Sequence, residues 1–169
     1  MTFRFEYLDK SALEQILPEL FHILYLNMSY VISTEKSYED EFSEWYSEVF
    51  PAMQKEPRCI VLMFCNEEIV GYFQYYINNG SLVMEEIQIK KEFQGSGIFR
   101  LFYEWLVLCL PSDLISVEAY SNKENLRSQQ ILEHLGLVKC GEVSDGAIFY
   151  YKGDFSCIFK KYGTSDISL

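Results

Sequence analysis

The stretch Lys90–Arg100, KKEFQGSGIFR, carries two glycines, Gly95 and Gly97, between an apolar alternating run and a run with helical spacing. Ile98, Leu101, Phe102, Trp105 and Cys109 fall on one face of a helix that Pro111 ends, so the glycines lie where a strand turns into a helix. There the first backbone N–H groups of the helix lack acceptors within it, and the positive end of the helix dipole adds to them. Such a place binds phosphate oxygens. Glycine suits it because a β-carbon would obstruct the ligand and because the loop needs positive φ. The plain alternative is a strand-to-helix turn that holds nothing.

Outward from the loop, FRFEYL predicts a short strand near the start, and SALEQILPELFHILYLNMSYVI predicts a helix through Leu13, Ile16, Leu17, Leu20, Leu24 and Met28. Ser11 and Glu14 are placed to form a capping box, with Pro18 kinking that helix or marking a later start. A second helix, about 38–53, follows a Ser37 cap and has Tyr38, Phe42, Trp45 and Val49 on one face. RCIVLMFC, IVGYFQYYIN and SLVMEEIQIK, separated by NEE and NNG turns, predict an antiparallel meander. After the glycine loop and its helix come a strand, LISVEAY, a helix, NKENLRSQQILEHLG, closed by Gly136, and a last hairpin turning at SDG. The expected fold class is α/β, a mixed and mainly antiparallel central sheet flanked by helices, in one domain spanning 1–169. A dinucleotide-binding domain fits poorly. Arg100 stands where its third glycine belongs, and a meander precedes the single crossover.

The totals narrow the function classes. A formal charge of −11 disfavours nucleic acid, whose binding depends on neutralising phosphates, and suits cationic small molecules. Five cysteines with no CxxC pair imply a reducing, cytoplasmic setting. Neither a signal-like segment nor a membrane-length apolar run is present, so no membrane association is expected.

IKKEFQGSGIF resembles the pyrophosphate motif Gln/Arg-x-x-Gly-x-Gly/Ala of the GNAT superfamily of acyl-CoA-dependent N-acetyltransferases, with Gln94, Gly97 and Phe99 in the defining places. NLRSQQILEHLGL is similar to that superfamily's second signature, an Asn at a helix start followed by a short helix ending in Leu-Gly-Phe. The resemblance implies a GNAT-type sheet and acetyl-CoA as cosubstrate. It also implies transfer of an acetyl group directly to an amine of a small molecule or peptide, by a monomer or homodimer. It places the backbone of Ile87, Gln88 and Ile89 along the pantetheine arm and wraps Gln94, Gly95, Ser96, Gly97, Ile98, Phe99 and Arg100 around the pyrophosphate. Asn125 opens the second motif, and Lys90, Lys91, Arg100 and Lys123 are cations near the cofactor. Phe99 departs from the usual Gly or Ala. The alternative class is a non-catalytic acyl-CoA-binding or sensing domain.

Acyl transfer to an amine needs the amine neutral and the leaving thiolate stabilised. Glu85 and Glu86, on the strand before the loop, are the candidate bases. Strand alternation sends them to opposite faces unless a bulge intervenes. The usual Tyr seven residues after the signature Asn is replaced by Leu132, which leaves Ser128, in an N-x-x-S pattern, and Tyr120 as candidate donors to the sulfur. Ser33–Glu48 holds six carboxylates against Lys36 alone, and with Tyr38, Trp45 and Tyr46 it is a candidate wall for a cationic acceptor. The bland alternative is the solvated face of an amphipathic helix. His22 and His134 lack partners that would make a nucleophile or metal site, and none is expected.

Overall fold

The computed structural model describes residues 2–29, 31, 35–55 and 57–163, without the side chain of Phe159. Among these the strands are Phe3–Tyr7 (β1), Cys59–Cys65 (β2), Glu68–Asn78 (β3), Ser81–Ile89 (β4), Ser116–Asn122 (β5), Val138–Val143 (β6) and Ile148–Asp154 (β7). The helices are Leu13–Met28 (α1), Tyr38–Gln54 (α2), Ile98–Cys109 (α3), Leu126–His134 (α4) and Phe155–Tyr162 (α5). The strands form one sheet in the order β1-β2-β3-β4-β5-β7-β6. β4 and β5 run parallel, from Ser81↔Ser116 to Met84↔Ala119, whereas β1–β2, β2–β3, β5–β7 and β6–β7 are antiparallel. The chain divides into two compact units: the part up to Tyr75 with Glu86–Ser96, and Tyr76–Glu85 with the part from Gly97 onward.

In the first unit the core is built by Leu13, Leu17, Leu20 and Ile23 of α1, Met53 of α2, Ile60 and Leu62 of β2, and Tyr72 of β3. α1 runs through Pro18 without a break, at the cost of one i→i−4 hydrogen bond. The Ser11–Glu14 capping box does not form. Asp9 Oδ1 accepts from the Ser11 N–H at 2.9 Å and opens a 3-10 turn, Lys10–Ala12, which leads into α1 with no side-chain cap at Ala12. The expected Ser37 cap is present, its Oγ accepting from the Asp40 N–H at 3.2 Å.

In the second unit Asn79 and Gly80, at φ 49° and 75°, make the tight turn that the NNG triplet predicts. Ile98, Phe102, Tyr103 and Leu106 of α3 are buried, as are Val117 and Ala119 of β5, Tyr151 of β7, and Phe155, Ile158 and Tyr162 of α5. The Tyr103 and Tyr162 rings stack at 5.3 Å. α5 is an element beyond the predicted final hairpin. Gly136, at φ 92°, ends α4 as expected, with Leu137 N–H donating to Leu132 O and Gly136 N–H to Glu133 O.

Candidate active site

Both glycines of the loop adopt left-handed conformations, Gly95 at φ 83° and Gly97 at φ 88°. A β-carbon built on either meets no protein atom within 4 Å, so the space beside each is open. Gly97 is the first cap of α3 and no side chain bonds there; the first helical bond is Leu101 N–H to Gly97 O at 3.2 Å. The N–H groups of Ile98, Phe99 and Arg100 therefore lack intrahelical acceptors. Ser96 turns its hydroxyl back onto Phe93 O at 2.6 Å. Gln94 donates through Nε2 to Ile89 O at 2.7 Å. Phe99 lays its ring against Tyr103, one helical turn on, with centroids 4.7 Å apart. Arg100 is exposed and pairs with Glu104 at 3.7 Å. One expected cation is diverted: Lys90 Nζ sits between Glu19 at 3.0 Å and Glu68 at 2.9 Å.

The last four residues of β4 belong to the first unit and carry a polar chain. Asn27 of α1 donates through Nδ2 to Gln88 Oε1 at 2.8 Å and to Ile89 O at 3.1 Å, and Gln88 Nε2 donates to Glu86 Oε1 at 3.1 Å. Tyr72 of β3 is fully buried; its hydroxyl makes no hydrogen bond of ordinary geometry, but it feels the charge of Glu86. Burial first, and that carboxylate second, push its pKa well above the usual phenol value. Gly71 of β3 lies so near this strand that a β-carbon would stand 2.5 Å from Gln88 O. Glu85 is half-buried and belongs to the second unit, outside the Asn27–Gln88–Glu86 chain. Met84, one residue earlier in that unit, accepts from Tyr103 OH of α3 through its sulfur at 3.5 Å.

In the second unit Asn125 caps α4, its Oδ1 accepting from the Ser128 N–H at 3.0 Å. Ser128 is half-buried, and among the described residues its hydroxyl shows no hydrogen bond. Leu132 is buried. Tyr120 is 48% exposed and packs tilted against Tyr150, with ring centroids 5.2 Å apart. Beside them Glu118 accepts from Lys152 Nζ at 2.8 Å and Ser81 Oγ at 3.1 Å. The Lys152 bond leads in holding the Glu118 carboxyl below its ordinary value.

Much of the acidic stretch has helical reasons. Glu39, Asp40 and Glu41 occupy the first turn of α2, where the dipole favours them, and Glu44 takes Lys36 at 2.8 Å. Tyr38 packs edge-on against Phe21 and Tyr25, Trp45 against Phe21, and Tyr46 on Phe50, so these rings are engaged in packing. Ser33 and Thr34 lie outside the described residues. No metal-binding cluster is found among the described residues, and no helix there is long and apolar enough to cross a membrane.

No protein-family model matches the sequence, and no curated protein matches it in sequence. Solved structures do match in fold. The PaiA N-acetyltransferase of Thermoplasma acidophilum, in complex with coenzyme A, superposes with a TM-score of 0.71 at 15% identity, over 91% of this chain and 99% of that one. The ribosomal-protein-S18-alanine N-acetyltransferase of Escherichia coli gives 0.63 at 14% identity, over 99% of each chain. The spermidine N-acetyltransferase of Vibrio cholerae, in complex with CoA and spermine, gives 0.62 at 17% identity, over 93% and 98%. The fold is that of the GNAT acetyltransferases.

Proposed function

We propose that the chain is an acetyl-CoA-dependent N-acetyltransferase, one domain over 1–169, acting directly on an amine of a small molecule or peptide. The observation that carries this reading is the loop: two left-handed glycines with open space at their β-carbon positions, before a helix whose first N–H groups have no side-chain cap. Gly95, Gly97 and the N–H groups of Ile98, Phe99 and Arg100 would hold the pyrophosphate. Gln94 would support the loop through its bond to Ile89 O. The backbone of Ile87, Gln88 and Ile89 would lie along the pantetheine arm, since the parallel register with β5 ends at Met84↔Ala119. Acetyl-CoA supplies an activated acetyl thioester. Of the two candidate bases, Glu86 is favoured over Glu85, because the hydrogen-bonded chain from α1 ends on it. Its carboxylate would take the proton of the incoming ammonium group. Ser128 and Tyr120 remain the donors for the leaving sulfur.

The acceptor we favour is cationic, on the strength of the −11 charge and of Glu35 and Glu48, exposed on and before α2. The burial of Leu132, where a proton-donating Tyr is usual, supports the second reading, a domain that binds acyl-CoA without transfer. Thiol release from acetyl-CoA in the presence of amines separates the two. The loop assignment is tested by calorimetry on Gly97→Asn and Gly97→Asp, since Asn tolerates positive φ while Asp adds a charge of the same shape. Acetyl-CoA affinity is expected to fall at least tenfold further in the Asp variant. Equal affinities would place the pyrophosphate elsewhere.

A further inference from the structure

We infer that Asn27 is a positioning residue: from the end of α1 it sets the direction of the Gln88 amide, so that Gln88 presents a donor, not an oxygen, to the Glu86 carboxylate. The inference rests on the reading of Glu86 as the proton acceptor. Its ground is the polarity of a chain whose far end cannot be reversed. Ile89 O is a backbone carbonyl and only accepts, so the Asn27 atom that faces it, 3.1 Å away, must be the amide nitrogen. The same nitrogen meets Gln88 at 2.8 Å, which must therefore offer Oε1. With Oε1 spent, Gln88 turns Nε2 to Glu86 Oε1 at 3.1 Å. Each orientation follows from the one before it.

A donor aimed at the charged form of a carboxyl favours that form, and an oxygen in its place disfavours it. Asn27 thus acts on Glu86 through Gln88 without touching it. Asn27 and Gln88 carry no charge; the buried Tyr72 of β3 acts on Glu86, and burial keeps that phenol protonated. Ile89 O also accepts from Gln94 Nε2 at 2.7 Å, an anchor of the strand end that does not involve Asn27.

The test is a carbon-13 carboxyl NMR titration of Glu86, assigned with Glu86→Gln, in the wild type, Asn27→Leu, Gln88→Leu and the double variant. Gln88→Leu is expected to raise the Glu86 midpoint by about one pH unit, because the donor to the charged form is lost. Asn27→Leu should raise it by less, since the freed amide still donates part of the time. In the Gln88→Leu background Asn27→Leu should add nothing, because the two act in series. An Asn27→Leu midpoint equal to that of the wild type, or the same increment in both backgrounds, overturns the inference. Asn27→Ala serves in the same comparison if leucine disturbs packing. The underlying reading fails separately: Glu86→Gln with wild-type thiol release from acetyl-CoA, spermidine being the probe acceptor, would remove Glu86 from the chemistry and leave the titration result standing.

Discussion

Gly71 is the residue at which the site tolerates least. A methyl group there would stand 2.5 Å from Gln88 O and 3.3 Å from Ile89 Cα, and both are backbone atoms that cannot rotate aside. Gly71→Ala is expected to destabilise the protein by about 1–3 kcal/mol, read by urea unfolding, and to lower acetyl-CoA affinity as β4 shifts. Neither this glycine, inside the run IVGYF, nor Asn27, a polar residue in register with Leu13, Leu17, Leu20 and Ile23 on the buried stripe of α1, is singled out by the sequence. A lone glycine in a strand or a lone polar residue on a helix stripe does not name the backbone or side chain it meets. That the hydrogen-bonded chain from α1 reaches Glu86 was not legible, because strand parity separates the two faces without saying which face meets α1. Nor was the fate of Lys90, whose partners Glu19 and Glu68 are both distant in sequence.

At the scale of elements, α4 carries a structural role and a proposed chemical one within four residues. Asn125→Ala removes the cap on Ser128 N–H and should cost about 1 kcal/mol in thermal unfolding. Ser128→Ala leaves that backbone bond intact and should leave stability unchanged. If the hydroxyl serves the leaving sulfur, turnover would fall on the order of tenfold. Unchanged turnover would move the role to Tyr120 or to water. The meander and the existence of the loop helix were readable because turn residues and apolar period agree there, Asn79 and Gly80 both taking positive φ. The face of α3 was misjudged, since Ile98, Phe102, Tyr103, Leu106 and Val107 are buried while Leu101 and Cys109 are exposed. α5 was harder to see. It follows β7 directly, with Asp154 both ending the strand and accepting from Ser156 N–H at 2.8 Å, so no loop residues mark the change. The capping box at Ser11 failed for a related reason, since Asp9 binds the backbone two residues on and takes the place first.

For the whole molecule, the net charge of −11 gives a test that needs no structure of a complex. Attraction of a cationic acceptor weakens as salt shortens the Debye length, about 10 Å at 0.1 M, so its apparent KM should rise with ionic strength. That of a neutral amine should not. Equal salt responses would mean that the acids of α2 serve only the helix and its solvation. The sheet order also has a consequence in time. β1 pairs with β2 through Phe3↔Cys65 and Tyr7↔Val61, across both α1 and α2, whereas the turns at Asn66 and at Asn79–Gly80 join strands that follow one another directly. Closing the longer span loses more chain entropy before any contact compensates it. In refolding followed by pulsed hydrogen exchange, the amides of β2 and β3 should gain protection first, and those of Phe3–Tyr7 should close the sheet last.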